Sequence, residues 1–251
     1  MLELRTLSRH FGGVKALDGL DLVVNQGEIL GLIGPNGSGK STTVNLITGV
    51  YAPTSGSLQF KGQDISQLDP HQRSQLGIAR TFQNIRLFGN LTVWQNLWAA
   101  RVVRETGWAG FRERWLSGAA AAREQAEELL EFADLAHKRD MLASQLAFGE
   151  QRRLELIRAA ATNAELLLLD EPAAGMNAEE IDDLDARIRS LRDRGRTILL
   201  IEHHMELVMG VCDRVTVLNF GRKIAEGTPT QVQQDAQVRA AYLGADETAT
   251  A

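Results

Sequence analysis

Residues 27–41, GEILGLIGPNGSGKS, constrain the fold more than any other stretch of the chain. The apolar run GEILGLIG (27–34) has the length and branching of a buried strand, and it leads straight into a glycine-rich turn. KSTTVNLITGV (40–50) then reads as a helix ended near Gly49, with Pro53 separating it from the next segment. A buried strand, a glycine turn and a helix in that order form the opening unit of a parallel α/β sheet. The turn also carries a chemistry. Within GPNGSGKS, Gly34 to Ser41, glycines at 34 and 39 precede Lys40 and Ser41 at the spacing of a phosphate loop. Glycine lets the backbone curl until its N–H groups point inward, making a nest for anionic oxygens at the positive end of the helix. Lys40 is placed to reach the β- and γ-phosphates of ATP, and the Ser41 hydroxyl to ligate Mg²⁺. Asn36, Gly37, Ser38 and Thr42 complete the cradle.

Three further apolar runs match the first: ELLLLDEP (165–172), TILLIEHH (197–204) and RVTVLNF (214–220). Each reads as a buried strand. Between the first two lies NAEEIDDLDARIRSLRDRG (177–195), whose Ile181, Leu184, Ile188 and Leu191 fall at helical spacing. Asn177 can cap its start, Glu180 can return the contact, and Gly195 supplies the stop. ELLLLDEP brings the second half of a nucleotide site. A strand ending in Asp170 sets a carboxylate beside the metal that Ser41 holds. Glu171 follows at the strand mouth, where it can orient and deprotonate an attacking water. Together these motifs indicate nucleotide hydrolysis.

From Asn84 to Ala161 the texture changes to Ala, Leu, Glu and Arg, and LTVWQNLWAARVV and AAREQAEELLEFADL read as helices of an all-helical insert. In GWAGFRERWLSG (107–118), Trp108, Phe111 and Trp115 fit either a short amphipathic helix touching a partner or packing within the insert. DETATA (246–251) reads as a frayed tail. The formal charge of −5 gives no overall pull toward nucleic acid or anionic lipid. The basic pair Arg152–Arg153 is expected to shape a helix surface rather than bind nucleic acid. Cys212, the single cysteine, excludes an internal disulfide and a multi-cysteine metal site and is expected to be a small buried hydrophobe. The N-terminal MLELRTLSRH has no uninterrupted apolar core of a signal peptide, and the apolar runs are too short to cross a bilayer. Any contact with a membrane is therefore expected to come through partners only.

The order of the remaining motifs resembles that of ABC ATPases. Gln83 in ARTFQNIRLF stands where that family carries its Q-loop glutamine, and LAFGEQRRLELIRAA (146–160) is similar to its signature segment. AAGMN (173–177) occupies the D-loop, and His203 in LLIEHHMELVM matches the switch histidine. Phe11 in HFGGVKAL stands where an aromatic ring stacks on adenine. The resemblance runs from Met1 to about Gly244. It implies an α/β fold: a P-loop NTPase nucleotide-binding domain of ABC type, with a RecA-like core, an N-terminal antiparallel β part and the helical insert. On that reading residues 1–83 and 162–227 form the core with the β part, 84–161 the helical part, and 228–251 a C-terminal helix and tail. Gln83 joins Ser41 and Asp170 around Mg²⁺ and, with Glu171 and His203, serves hydrolysis.

The resemblance also implies partners. ATP on one subunit's phosphate loop would be covered by Ala147, Phe148, Gly149 and Glu150 of a second ATPase subunit, a similar chain or a second copy, in a head-to-tail dimer. Transmembrane permease subunits would dock near Gln83 and the insert, placing the chain at the cytoplasmic side of the cell membrane. Two positions depart from the family pattern. Ala147 stands where a serine is usual, which leaves backbone N–H groups to meet phosphate, and Asn177 stands where aspartate is usual. TFQNIRLF, LAFGEQRRLELIRAA, DEPAAGMN and the late EGTPTQVQQDAQVRAAYLG most resemble the ATPases of branched-chain amino acid uptake. Importers of urea or short amides, and lipopolysaccharide export, are the alternatives within the family. A soluble ABC ATPase acting on ribosomes or DNA is expected to carry two cassettes or a coiled-coil insert. A small-molecule P-loop kinase would leave the signature-like segment and His203 without a role.

Overall fold

A computed structural model describes residues 1–102 and 119–246, so the aromatic stretch 107–118 and the last residues of the chain lie outside the described residues. The chain begins with β1 (Leu2–Phe11), β2 (Val14–Val24), β3 (Ile29–Ile33), α1 (Lys40–Ile47), β4 (Ser55–Phe60) and β5 (Gln63–Asp64). It continues through α2 (Pro70–Leu76), β6 (Ile78–Arg80), α3 (Val93–Val102), α4 (Ala119–Phe132), α5 (Phe148–Ala161) and β7 (Leu166–Asp170). The last part holds α6 (Ala178–Asp193), β8 (Thr197–Ile201), α7 (Met205–Val211), β9 (Arg214–Asn219), β10 (Arg222–Gly227), α8 (Pro229–Gln234) and α9 (Ala236–Asp246).

Two sheets form. A smaller antiparallel sheet has the order β2-β1-β4-β5, and a six-stranded sheet has the order β10-β9-β3-β8-β7-β6. In the larger sheet β9, β3, β8, β7 and β6 run parallel, and only the edge strand β10 is antiparallel to its neighbour. All five residues of β3, β7 and β8 are buried, as central parallel strands covered on both faces require. Alternate residues serve two separate cores. Ile29, Ile33, Leu167, Leu169, Ile198 and Leu200 face a core shared with α3 to α7. Leu30, Leu32, Leu166, Leu168, Leu199 and Ile201 face a core shared with α1 and the antiparallel sheet. The described helices α3, α4 and α5 are thus packed against one face of the sheet.

Helix starts follow the expected chemistry in most places. Asn177 accepts from the Glu180 N–H at 3.0 Å while the Glu180 carboxylate accepts from the Asn177 N–H at 2.9 Å, the reciprocal cap anticipated for α6. Asp69 with Gln72, and Thr228 with Gln231, do the same for α2 and α8. Leu184, Ile188 and Leu191 of α6 are buried, and Ile181 is half-buried beside them. Cys212 is buried against Gly31, where an added Cβ would stand 2.9 Å from its sulfur. Burial, helped by Asp213, pushes its thiol up to about 12.

Candidate active site

Four neighbouring strands, β3, β8, β7 and β6, deliver the expected residues at their carboxyl ends, the edge at which parallel α/β sheets hold ligands. The phosphate loop comes after β3, His203 after β8, Asp170 ends β7 with Glu171 next, and Gln83 lies just beyond β6. Register makes this a tight group, because Ile201 pairs with both Leu32 and Asp170.

The loop is shaped by residues that no other side chain could replace. Gly34 has φ 149° and Gly39 φ 107°, both in the left-handed half of backbone space. A Cβ on Gly34 would run into the Leu218 carbonyl, and one on Gly39 would stand 2.8 Å from the Ala16 carbonyl oxygen. The curled backbone starts α1 on Gly39 with no side-chain cap, so the first turn offers its N–H groups to an outside acceptor. Ser38 is 2% exposed, and its hydroxyl is buried without a hydrogen-bond partner. Lys40 is buried too, and its ammonium donates to the Gly34 carbonyl at 2.6 Å and the Pro35 carbonyl at 3.0 Å. Burial holds it below the ordinary lysine range, while the Glu171 and Asp170 carboxylates pull it back up. A glycine cradle, an open helix start, an orphaned hydroxyl and a desolvated cation fit a polyphosphate. They line a cavity of about 460 Å³ together with Phe11, Ser41, Glu171 and Phe220.

Glu171 stands at the centre of the polar cluster. The Gln83 amide donates to its Oε2 at 2.7 Å, and His203 Nδ1 lies 3.8 Å from its Oε1. Its backbone has φ 48°, a conformation that strains a non-glycine residue by about 1–3 kcal/mol and is found where function over-determines geometry. The bond from its N–H to the Ile201 carbonyl, 2.8 Å, pins that turn to β8.

Three further residues escaped the sequence reading. Arg80 donates to Asp170 Oδ2 at 2.7 Å and to the Asn45 side chain of α1 at 2.7 Å, fixing the carboxylate between two elements. Glu202 is fully buried and accepts from the N–H groups of Ala173, at 2.8 Å, His203, at 2.9 Å, and His204, at 3.1 Å. One carboxylate thereby ties the start of AAGMN to the histidine pair. An acid closing a wholly apolar run was its signal in LLIEHH. Phe220, 85% exposed with φ 45°, forms with Gly221 a two-residue hairpin turn at the cavity mouth. Nothing in the local sequence marks it.

Phe11, also expected at the site, is 39% exposed at the cavity wall, edge-on to Tyr51 at 5.2 Å, with the Arg9 guanidinium 4.6 Å from its ring centre. Ala147 caps α5 without a side-chain bond, and its N–H donates to Glu150 at 3.0 Å. Lys138 bonds the same carboxylate at 2.5 Å and holds it below the usual carboxylate range. Phe148 is 47% exposed. Arg152 corrects the surface reading given to Arg152–Arg153. It is buried, and its guanidinium donates to the Phe82 and Gln83 carbonyls at 3.2 and 2.7 Å, because those carbonyls face α5 and need a donor.

The sequence profile of the ABC transporter family matches residues 17–174, more than half of the chain. The chain belongs to the ABC transporter family. Its cassette is a nucleotide-binding ATPase domain of that family. A second profile, for branched-chain amino acid ATP-binding cassette transporters, matches residues 222–248. The high-affinity branched-chain amino acid transport ATP-binding protein BraF of Pseudomonas aeruginosa is 41% identical over 97% of this chain and 98% of its own. The corresponding LivG of Escherichia coli K12 is 42% identical over 97% and 98%. The lipopolysaccharide export protein LptB of Haemophilus influenzae is 38% identical over 97% of each chain. The cassette superposes on the ADP conformation of MJ1267, an ATP-binding cassette of an ABC transporter, with a TM-score of 0.86 and 34% identity over 97% of this chain and 98% of that one. The post-hydrolysis dimer of the cassette MJ0796 with ADP and phosphate gives 0.78 and 25% over 91% and 99%. Among the described residues of the cassette, no helix is long and apolar enough to cross a membrane.

Proposed function

We propose that this cassette hydrolyses ATP to power uptake of branched-chain amino acids, and that the residues gathered at the strand ends do the chemistry. The observation that carries the hydrolytic part is Glu171, bracketed by Gln83 and His203 beside the phosphate-loop cavity. Gly34 to Thr42 hold the phosphates through backbone N–H groups and Lys40, and Phe11 lies against the base. Glu171 orients the attacking water and takes its proton, with Gln83 and His203 fixing the carboxylate. Ser41, Asp170 and Gln83 offer only oxygen donors, a hydroxyl, a carboxylate and an amide, and that donor set suits Mg²⁺. When bound there, the ion neutralises phosphate charge.

In this reading residues 147–150 cover the nucleotide of a second ATPase subunit in a head-to-tail dimer, and the exposed start of α5 supports it. The dimeric relative supports it as well. Permease subunits receive the movement against residues 84–161, taken as a helical subdomain, and hold the cassette at the inner face of the membrane. The substrate class rests on BraF and LivG and on the match at residues 222–248. Lipopolysaccharide export is the second reading, favoured by the LptB likeness.

Tagged Glu171→Gln, captured with ATP and Mg²⁺ from native detergent-solubilised membranes, tests the assignment. Recovery of two membrane subunits and a second ATPase is the expected result. Recovery of an export complex would replace the substrate class, and recovery of ribosomal or other soluble partners would overturn transport.

A further inference from the structure

Arg152 and Glu155 face the same way from the first two turns of α5, both deeply buried and 3.6 Å apart as an ion pair. They grip the backbone on both sides of the Gln83 side chain. Arg152 donates to the Phe82 and Gln83 carbonyls at 3.2 and 2.7 Å. Glu155 Oε1 accepts from the N–H groups of Phe82 and Arg86 at 3.4 and 3.3 Å. A guanidinium fork and a carboxylate therefore satisfy a run of loop backbone that no strand pairs. At the other end, the Gln83 amide holds Glu171. Arg152 also lies 5.4 Å from the centre of the Phe148 ring, and that ring borders Gly175 of AAGMN.

We infer that Arg152 and Glu155 are positioning residues, fastening the Gln83 loop to the start of α5 so that Gln83 holds the Glu171 carboxylate in its working orientation. This rests on the hydrolytic reading of Gln83 and Glu171. Two separate motifs are thereby made one mechanical unit. A displacement of the α5 start, whose N-terminus is offered to the second subunit's nucleotide, is passed through the pair to the glutamate that serves this subunit's own nucleotide.

Neither residue lines the phosphate-loop cavity, so loss of the pair should lower kcat and leave ATP binding in place. Steady-state turnover and binding of a fluorescent ATP analogue by the full-length chain should show Arg152→Met falling about ten- to a hundredfold in kcat, with affinity nearly unchanged. Glu155→Ala removes the acceptor for the Phe82 and Arg86 N–H groups together with the counter-charge of Arg152, and should lower kcat in the same way. Arg152→Lys keeps one donor and should recover part of the loss. The decisive measurement is a cycle with Gln83→Ala, because a residue acting only through Gln83 adds nothing once Gln83 is gone. Arg152→Met/Gln83→Ala should therefore match Gln83→Ala alone. A double variant as poor as the product of the two single losses would overturn the inference. If Arg152→Met loses nucleotide binding through misfolding, Arg152→Lys replaces it in the same cycle with the same two outcomes. Undiminished turnover in Gln83→Ala itself would instead reject the hydrolytic reading beneath.

Discussion

α1 and α5 both begin on a residue that gives no side-chain cap, and they differ in what encloses that beginning. At α1 the glycine cradle closes around the open N–H groups, with Ser38 and Lys40 buried and the Phe220–Gly221 turn alongside. At α5 the neighbouring Phe148 is exposed, and the Glu150 carboxylate accepts from the Ala147 N–H at the helix start. α2, α6 and α8 start on complete reciprocal caps. α7 also starts without a side-chain cap, on His204 beside His203, so the uncapped starts of α1, α5 and α7 all border motifs of the site. The enclosed start reads as a finished half-site, and the open one as a half-site that a second subunit completes.

The largest expected effect separates hydrolysis from both helix starts. Glu171→Gln should lower turnover by about 10²- to 10⁴-fold, the range for losing a general base, while ATP still binds and holds a dimer visible by size exclusion. Undiminished turnover would remove Glu171 from its role. Lys40→Ala strikes the enclosed start. Its charge-assisted contacts to phosphate are worth about 1.5–3 kcal/mol, so ATP affinity should fall about ten- to a hundredfold by titration. Normal affinity would sink the phosphate-loop assignment. Gly149→Asp strikes the open start. Placed in the Glu171→Gln background, it should abolish the ATP-held dimer and leave nucleotide affinity of the single cassette within about twofold, since distant sites act independently. A loss of affinity in the single cassette would erase the contrast between the two helices.

The legibility of these regions depends on how local they are. The phosphate loop is contiguous, and its spacing, the strand before it and the helix after it are all visible in fifteen residues. The four apolar runs at 27–34, 165–172, 197–204 and 214–220 became β3, β7, β8 and β9 because burial on both faces, complete in the first three and broken only at the ends of β9, leaves a composition that is hard to mistake. β1 and β2 were expected only through the family resemblance. They are broken by register shifts and half-exposed, which blurs the period-two pattern. β6 is three residues long, and its pairing with β7 depends on a distant segment. The same distance hid Arg80 and the buried Arg152–Glu155 pair, whose partners lie roughly seventy to ninety positions away. Sequence spacing reports chemistry within one element and is silent on which carbonyl a buried arginine will meet.

The smallest expected effect tests whether a complete cap is only structural. Asn177 sits at the junction of AAGMN and α6, so it could serve the helix alone or the facing subunit as well. Asn177→Ala removes the acceptor for the Glu180 N–H and should destabilise the fold by about 0.5–2 kcal/mol. Each kcal/mol corresponds to a fall in Tm of about 2–4 °C for a chain of this size, measurable by thermal scan. Asn177→Asp keeps an acceptor and adds a negative charge at the positive helix end, so it should restore that stability. If the cap is the residue's whole role, Asn177→Asp leaves turnover unchanged. Turnover that moves while Tm stays fixed would show Asn177 acting across the dimer, and the division between capped structural starts and open functional starts would then have to be redrawn at α6.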